Sequence, residues 1–131
     1  EVESDLSVMF LLLGGLSLVV GAIGIANITL VGVMERTGEI GLRRAIGATR
    51  GHIAGQFLLE STSMGVIGGV VGASAGVLIV VAVSAYQVWT PVLDPIAPAI
   101  APLLGGVIGL VSGAYPALRA AHLEPVEALR S

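Results

Sequence analysis

Leu6 to Val33 reads LSVMFLLLGGLSLVVGAIGIANITLVGV and contains no ionisable side chain. About 20 apolar residues suffice to cross the hydrocarbon core of a bilayer. This run is longer, so it can tilt or reach beyond the membrane. A helix buried in a soluble core would need polar flanks that this stretch lacks. The reading that follows is a membrane-spanning helix over 6–33.

The composition agrees. Of the 131 residues, 55% are hydrophobic and 11% are charged, against roughly 25% charged in a soluble domain. Too little polar surface is available to coat a water-soluble fold. A second apolar run spans 61–85, and a third, broken by proline, spans 96–118. Backbone polar groups inside lipid must be satisfied within each segment, so all three runs are predicted to be helices. The expected fold is all-α and integral to the membrane. Pro98 and Pro102 fit near the start of the third helix, where a missing N–H costs least, and Pro116 is expected to kink or end it.

The chain holds six basic residues, all Arg. Arg36, Arg43, Arg44 and Arg50 fall in the segment 34–60, and Arg119 and Arg130 in the tail 119–131. The loop 86–95 has none, and residues 1–5 carry three acids and no base. By the positive-inside rule, the 34–60 segment and the C-terminus face the cytoplasm, while the N-terminus and the 86–95 loop lie outside. Tyr86 and Trp89 suit the outer interface. The opening EVESD lacks Met and a basic n-region; it is unlike a signal peptide and predicts a piece of a longer protein.

Several chemistries are set aside by what the spans contain. None carries Asp, Glu, Lys, Arg or His, the residues that mark proton relays and ion paths inside membranes. Isolated Ser17, Ser74, Ser84 and Ser112 have no base beside them and read as packing residues. Cys is absent, and His52 and His122 lie far apart with no carboxylate cluster, so no metal site is expected. No GxxxxGK[ST] phosphate loop occurs, so the chain is expected to be non-enzymatic and to bind no cofactor itself. Nothing points to nucleic acid.

Small residues recur instead. Gly68, Gly72 and Gly76 repeat at i, i+4, i+8 in the second span, with Gly65 and Gly69 alongside; Gly105, Gly109 and Gly113 do the same in the third. Ser17, Gly21 and Gly24 fall on one side of the first. Such stripes let helix backbones approach closely in lipid, within the chain or against a partner. Asn27 and Thr29 are placed either to bond a neighbouring helix or to sit at the interface.

The charged window ERTGEIGLRRAIGATR, residues 35–50, is mixed rather than purely basic. Glu39 and Arg43 stand at i, i+4 in the favourable order. An apolar side is expected through Ile40, Leu42 and Ile46. Gly47 fits a C-terminal cap, and Thr49 an N-cap leading through Phe57 into the second span. Topology alone requires Arg, but not Glu35, Glu39, Ile40 or Ile46. A surface that docks a cytoplasmic protein accounts for the mixture better than a solvated loop, or than a lipid-surface helix, which is richer in basic charge.

The same residues carry a resemblance. Asn27, Val33, Glu35, Arg36, Thr37, Glu39, Ile40, Gly41, Arg44, Ala45, Gly47 and Ala48 fall in step with the motif of the MacB/FtsX-type permeases of bacterial ABC systems. Gln56–Glu60 and the tail Tyr115-Pro116-Ala117, Arg119-Ala120-Ala121 and Pro125–Arg130 are also similar. The resemblance implies the C-terminal three of four membrane helices, without the first helix and the large extracytoplasmic domain that follows it. It implies that 35–48 is a coupling helix resting on an ABC ATPase, with Glu35, Arg36, Glu39, Ile40, Arg43, Arg44, Ala45 and Gly47 in contact. ATP and Mg2+ would be bound by that partner. It further implies a permease homodimer in the bacterial cytoplasmic membrane, in contact with lipid and with an extracytoplasmic adaptor as a further partner, passing ATPase motion outward for export or extraction of substrate. The long Glu-Arg-Thr motif looks more like the MacB export branch than like FtsX, which controls cell-wall hydrolases. The rivals from outside the family are a helix-packing scaffold, which has no use for the mixed-charge helix, and a small channel, which needs a polar-lined face.

Overall fold

The computed structural model describes residues 1–88, 90 and 94–122. Trp89, Arg130 and the 125–130 motif lie outside the described residues. Four helices follow one another: α1 (Val2–Glu35), α2 (Thr37–Ala45), α3 (Arg50–Tyr86) and α4 (Ile96–Ala121). No strand occurs among the described residues. α1, α3 and α4 are each long and apolar enough to cross a membrane.

The helices are longer than the apolar runs that announce them. At about 1.5 Å per residue, the 34 residues of α1 and the 37 of α3 reach about 50 and 55 Å, against about 30 Å of hydrocarbon. The excess of α3 lies at its start. The helix runs without a break from Arg50, after the N-cap expected at Thr49, into the apolar run that begins at residue 61; no proline interrupts 50–60, and Ile53 and Phe57 are buried there. Of the two outcomes expected at Pro116, a kink or an end, α4 does not end there but continues to Ala121. Pro116 is among the fully buried side chains, and the packing around it offsets the backbone bond that proline removes.

The side-chain core sits at one end. Val33 from α1, Ile40 from α2, Ile53 and Phe57 from α3, and Ala117 and Ala120 from α4 form a single buried cluster. Ala48, Ala54 and Leu58 pack against it. This is the end that carries Arg36, Arg43, Arg44 and Arg50. Towards the other end, large apolar side chains such as Leu11, Leu12, Leu78 and Leu103 are exposed, as expected of a lipid-facing surface.

α3 and α4 pack against each other by backbone. Ser61, Gly65 and Gly69 of α3 oppose Gly113, Gly109 and Gly105 of α4. A Cβ added at Gly69 would come within 2.5 Å of the Ala101 carbonyl oxygen, and one at Gly65 closer still to that of Gly105. Only glycine permits this approach. Where lipid removes the hydrophobic drive between helices, such dispersion contact is the main cohesive force. Gly68, Gly72 and Gly76 take no part: an added Cβ at each would meet nothing within 4 Å. The sequence holds two interleaved small stripes on this helix, about 60° apart around its axis, and the pair-forming one is 61/65/69.

Candidate docking helix and its anchorage

α2 is short, and its ends are built for a tight double turn. Gly47 has φ +113°, a conformation that costs an L side chain energy but glycine little. Its N–H donates to the Arg44 carbonyl at 3.3 Å, and the Ala48 N–H donates to the Arg43 carbonyl at 2.9 Å. These two bonds form a Schellman motif. Two residues on, the Thr49 hydroxyl accepts from the His52 N–H at 3.2 Å and caps α3. The chain thereby turns within Ile46–Thr49, leaving α2 within reach of α3 through long side chains.

Side chains then fix it there. Ile40 is 2% exposed and belongs to the core. Arg43 binds two partners at once: its guanidinium donates to Glu39 Oε1 at 2.5 Å and to Gln56 Oε1 on α3. Arg36, the residue between α1 and α2, pairs with Glu60 on α3 at 3.3 Å. Arg44 turns back to donate to the Ala48 carbonyl at 3.0 Å, and its Nε is buried without a partner. Half-exposed ion pairs such as these add only about 0–1 kcal/mol each. Their value here is geometric, since together with Ile40 they set the rotation of α2.

That rotation divides the residues expected to contact a partner. Glu35, Arg36, Glu39, Ala45 and Gly47 are exposed. Arg43 and Arg44 are partly buried and already bonded within the chain. Ile40 is a correction: it points into the core and is not available at the surface. The apolar side expected through Ile40, Leu42 and Ile46 is in fact two sides. Residues 42 and 46 are one turn apart, whereas 40 and 42 point about 160° away from each other. Leu42 is 55% exposed and Ile46 78% exposed, so this pair is the apolar feature of the outer face. Strict use of the helical period would have found it. Gln56 and Glu60, the anchors on α3, give no such local signal, because their partners are 13 and 24 residues away.

The remaining candidates fall outside this assembly. Gly105, Gly109 and Gly113 lie in the α3–α4 contact, while Gly68 and Gly72 line a cleft beside it. Thr29 is buried with no hydrogen-bond partner, and Asn27 is exposed. The His52 ring lies 3.1 Å from the Thr49 hydroxyl, and His122 Nδ1 lies 2.7 Å from the Leu118 carbonyl. No grouping of metal-ligating side chains occurs among the described residues.

Three helices long and apolar enough to cross a membrane, joined to one anchored short helix, make the arrangement of a multi-span membrane domain. The chain belongs to the FtsX-like permease family: the family model for the FtsX-like permease C-terminal region matches residues 11–125. It is 46% identical over 128 residues to the macrolide export ATP-binding/permease protein MacB of Bdellovibrio bacteriovorus, covering 98% of this chain and 20% of that protein. It is 44% identical over 118 residues to the ABC transporter permease YknZ of Bacillus subtilis, covering 90% of this chain and 30% of that one. The MacB protein of Chlorobaculum tepidum is 50% identical over 107 residues, 82% of this chain and 16% of its own length. The chain thus spans less than a third of each of these relatives.

Proposed function

We propose that this chain is the membrane-coupling part of an ABC export permease, and that α2 is the element on which the ATPase acts. The observation that carries the reading is the outer face of α2. Leu42 and Ile46 are held out of the core, with Glu39 one turn before Leu42, on a helix whose rotation is fixed from behind by Ile40, Arg43 and Arg36. An apolar pair within a charged rim is the composition of a small protein-docking patch. A lone lipid-surface helix would carry its basic residues outward, whereas Arg43 and Arg44 here are turned towards the chain itself.

In this reading the α2 end faces the cytoplasm, by the placement of Arg, and the start of α1 faces outward. Among the relatives, MacB is named for both ATP binding and export and YknZ as an ABC transporter permease. An ABC ATPase, carrying the ATP and Mg2+, is therefore the partner proposed. Two permease copies would serve two ATPase copies. Movement of α2 would be passed along the spans to extracytoplasmic parts of the protein, with an adaptor there as a further partner. The apolar runs 6–33, 61–85 and 96–118 carry no Asp, Glu, Lys, Arg or His, which suits transmission of motion better than passage of a charged solute. The membrane proposed is the bacterial cytoplasmic membrane.

The test is a mild-detergent pull-down of the full-length permease, wild type against Glu39→Arg and Leu42→Glu. Both variants leave the buried cluster intact; Leu42→Glu alters only an exposed side chain, whereas Glu39→Arg also removes the Glu39–Arg43 pair, so loss in both is required. Recovery of an ABC ATPase with the wild type, lost in both variants while the permease stays monodisperse, is the expected result. Equal recovery from all three would remove α2 as the docking element.

A further inference from the structure

Most of the arginines at the α2 end are spent within the chain. Arg36 pairs with Glu60, Arg43 with Glu39 and Gln56, and Arg44 with the Ala48 carbonyl. Arg50 and Arg119 are exposed and make no ion pair among the described residues. Their depths differ. Ser61 opposes Gly113, so Glu60 lies level with Ala114. Glu60 is the last charge before the apolar run of α3. From Ile96 to Ala114, α4 is about 28 Å long, close to the hydrocarbon thickness of about 30 Å. Measured from the Glu60 level, Arg119 lies about 7 Å further along α4, and Arg50 about 15 Å back along α3. The headgroup layer on each side of a bilayer is about 5–8 Å thick. Arg119 falls within that layer and Arg50 beyond it.

The surroundings of Arg119 suit that depth. Tyr115 stands one turn before it and Val111 one turn before that, and all three are exposed, as is Leu118 beside them. The packed side of α4 is the opposite one, through Gly109, Gly113, Ala117 and Ala120. Helical side chains lean toward the N-terminus of their helix, so Arg119 leans back over Tyr115 rather than out into water. The strip holds no carboxylate, and His122 at its end bonds back to the Leu118 carbonyl. We infer that Arg119 and Tyr115 hold the phosphate of an anionic phospholipid, with an acyl chain along Val111 and Leu104. The guanidinium presents a planar fork of donors that matches two phosphate oxygens. A tyrosine at headgroup level adds an O–H donor. Charge selects among lipids: phosphatidylglycerol is a net anion, whereas the phosphate of phosphatidylcholine has its own cation beside it. The assignment to the cytoplasmic leaflet rests on the function proposed above; the site itself does not.

The test places a photo-crosslinking amino acid at Val111 in the full-length permease, with a reference at Ile100 nearer the other end of α4; both positions are exposed. The protein is reconstituted in nanodiscs of phosphatidylglycerol and phosphatidylcholine in equal amounts, and the lipid adducts are identified by mass. Adducts at position 111 are expected to favour phosphatidylglycerol about fivefold, the factor for one arginine near an anionic surface, with no preference at position 100. Arg119→Gln, which leaves the buried cluster intact, should remove the preference, and Arg50→Gln should keep it. Excess soluble glycerol phosphate should leave it unchanged. Equal adducts of the two lipids at position 111, or a preference that survives Arg119→Gln, would overturn the site. A preference lost equally with Arg50→Gln would reduce it to the general field of the basic end. Competition by glycerol phosphate would show a free-phosphate site, and adducts with protein in place of lipid would show a face covered by another helix; either result overturns the proposal. No ATPase enters this measurement, so failure of the pull-down above leaves the lipid site standing, and failure here leaves the docking role of α2 standing.

Discussion

The two ends of this molecule are held together by different forces. At the α2 end, four helices bury Val33, Ile40, Ile53, Phe57, Ala117 and Ala120 in one cluster, as a small soluble domain would. α3 is about 25 Å longer than the hydrocarbon of a bilayer, and where such an excess meets water, burial of apolar surface is worth about 25 cal/mol per Å². Along the spans the drive vanishes, and cohesion comes from the close approach of Ser61, Gly65 and Gly69 to Gly113, Gly109 and Gly105. One region depends on large side chains and the other on their absence. The same substitution therefore has opposite consequences at the two ends.

The sharpest way to break the contrast is to add bulk between α3 and α4. Gly65→Leu would drive a side chain into the Gly105 carbonyl; with backbone on both sides nothing can yield, and no monodisperse protein is expected on size exclusion in detergent. Removing bulk at the other end comes next. Phe57→Ala should cost about 3–5 kcal/mol, as for other buried Phe, read as a large fall in the thermal transition of the detergent-solubilised protein. Gly47→Ala places a side chain at φ +113° and should cost about 1 kcal/mol. Thr49→Ala, which removes the α3 cap, should cost a similar amount, about 0.5–2 kcal/mol. The smallest effect is expected at Gly68→Ala, within about 0.5 kcal/mol; a loss as large as that at Gly65 would show that the stripe 68/72/76 is an essential contact after all.

Much of this contrast can be seen in the sequence before any coordinates. The three spans follow from apolar runs without charge, and Gly47 and Thr49 declare the turn between α2 and α3 by their own chemistry. Both glycine stripes of α3 are visible as well, but periodicity cannot say which meets α4, because small residues at 61, 65, 69 and at 68, 72, 76 satisfy the same spacing. The anchors of α2 are invisible for a different reason. Arg36 meets Glu60, and Arg43 meets Gln56, only because the turn at Ile46–Thr49 brings these long side chains within reach of α3. The extension of α4 through Pro116 likewise depends on tertiary burial, which overrides a local helix breaker.

We propose that the outer face of α2 rests on an ATPase. Its most direct test is a photo-crosslinking amino acid at Ile46, 78% exposed, in the full-length permease expressed with its neighbouring proteins, with a second at Leu78 on the lipid-facing side of α3 as reference. A specific adduct with an ABC ATPase is expected from position 46 and none from position 78. Adducts from position 46 with lipid alone, or with the permease itself, in preparations where the ATPase co-purifies, would contradict it.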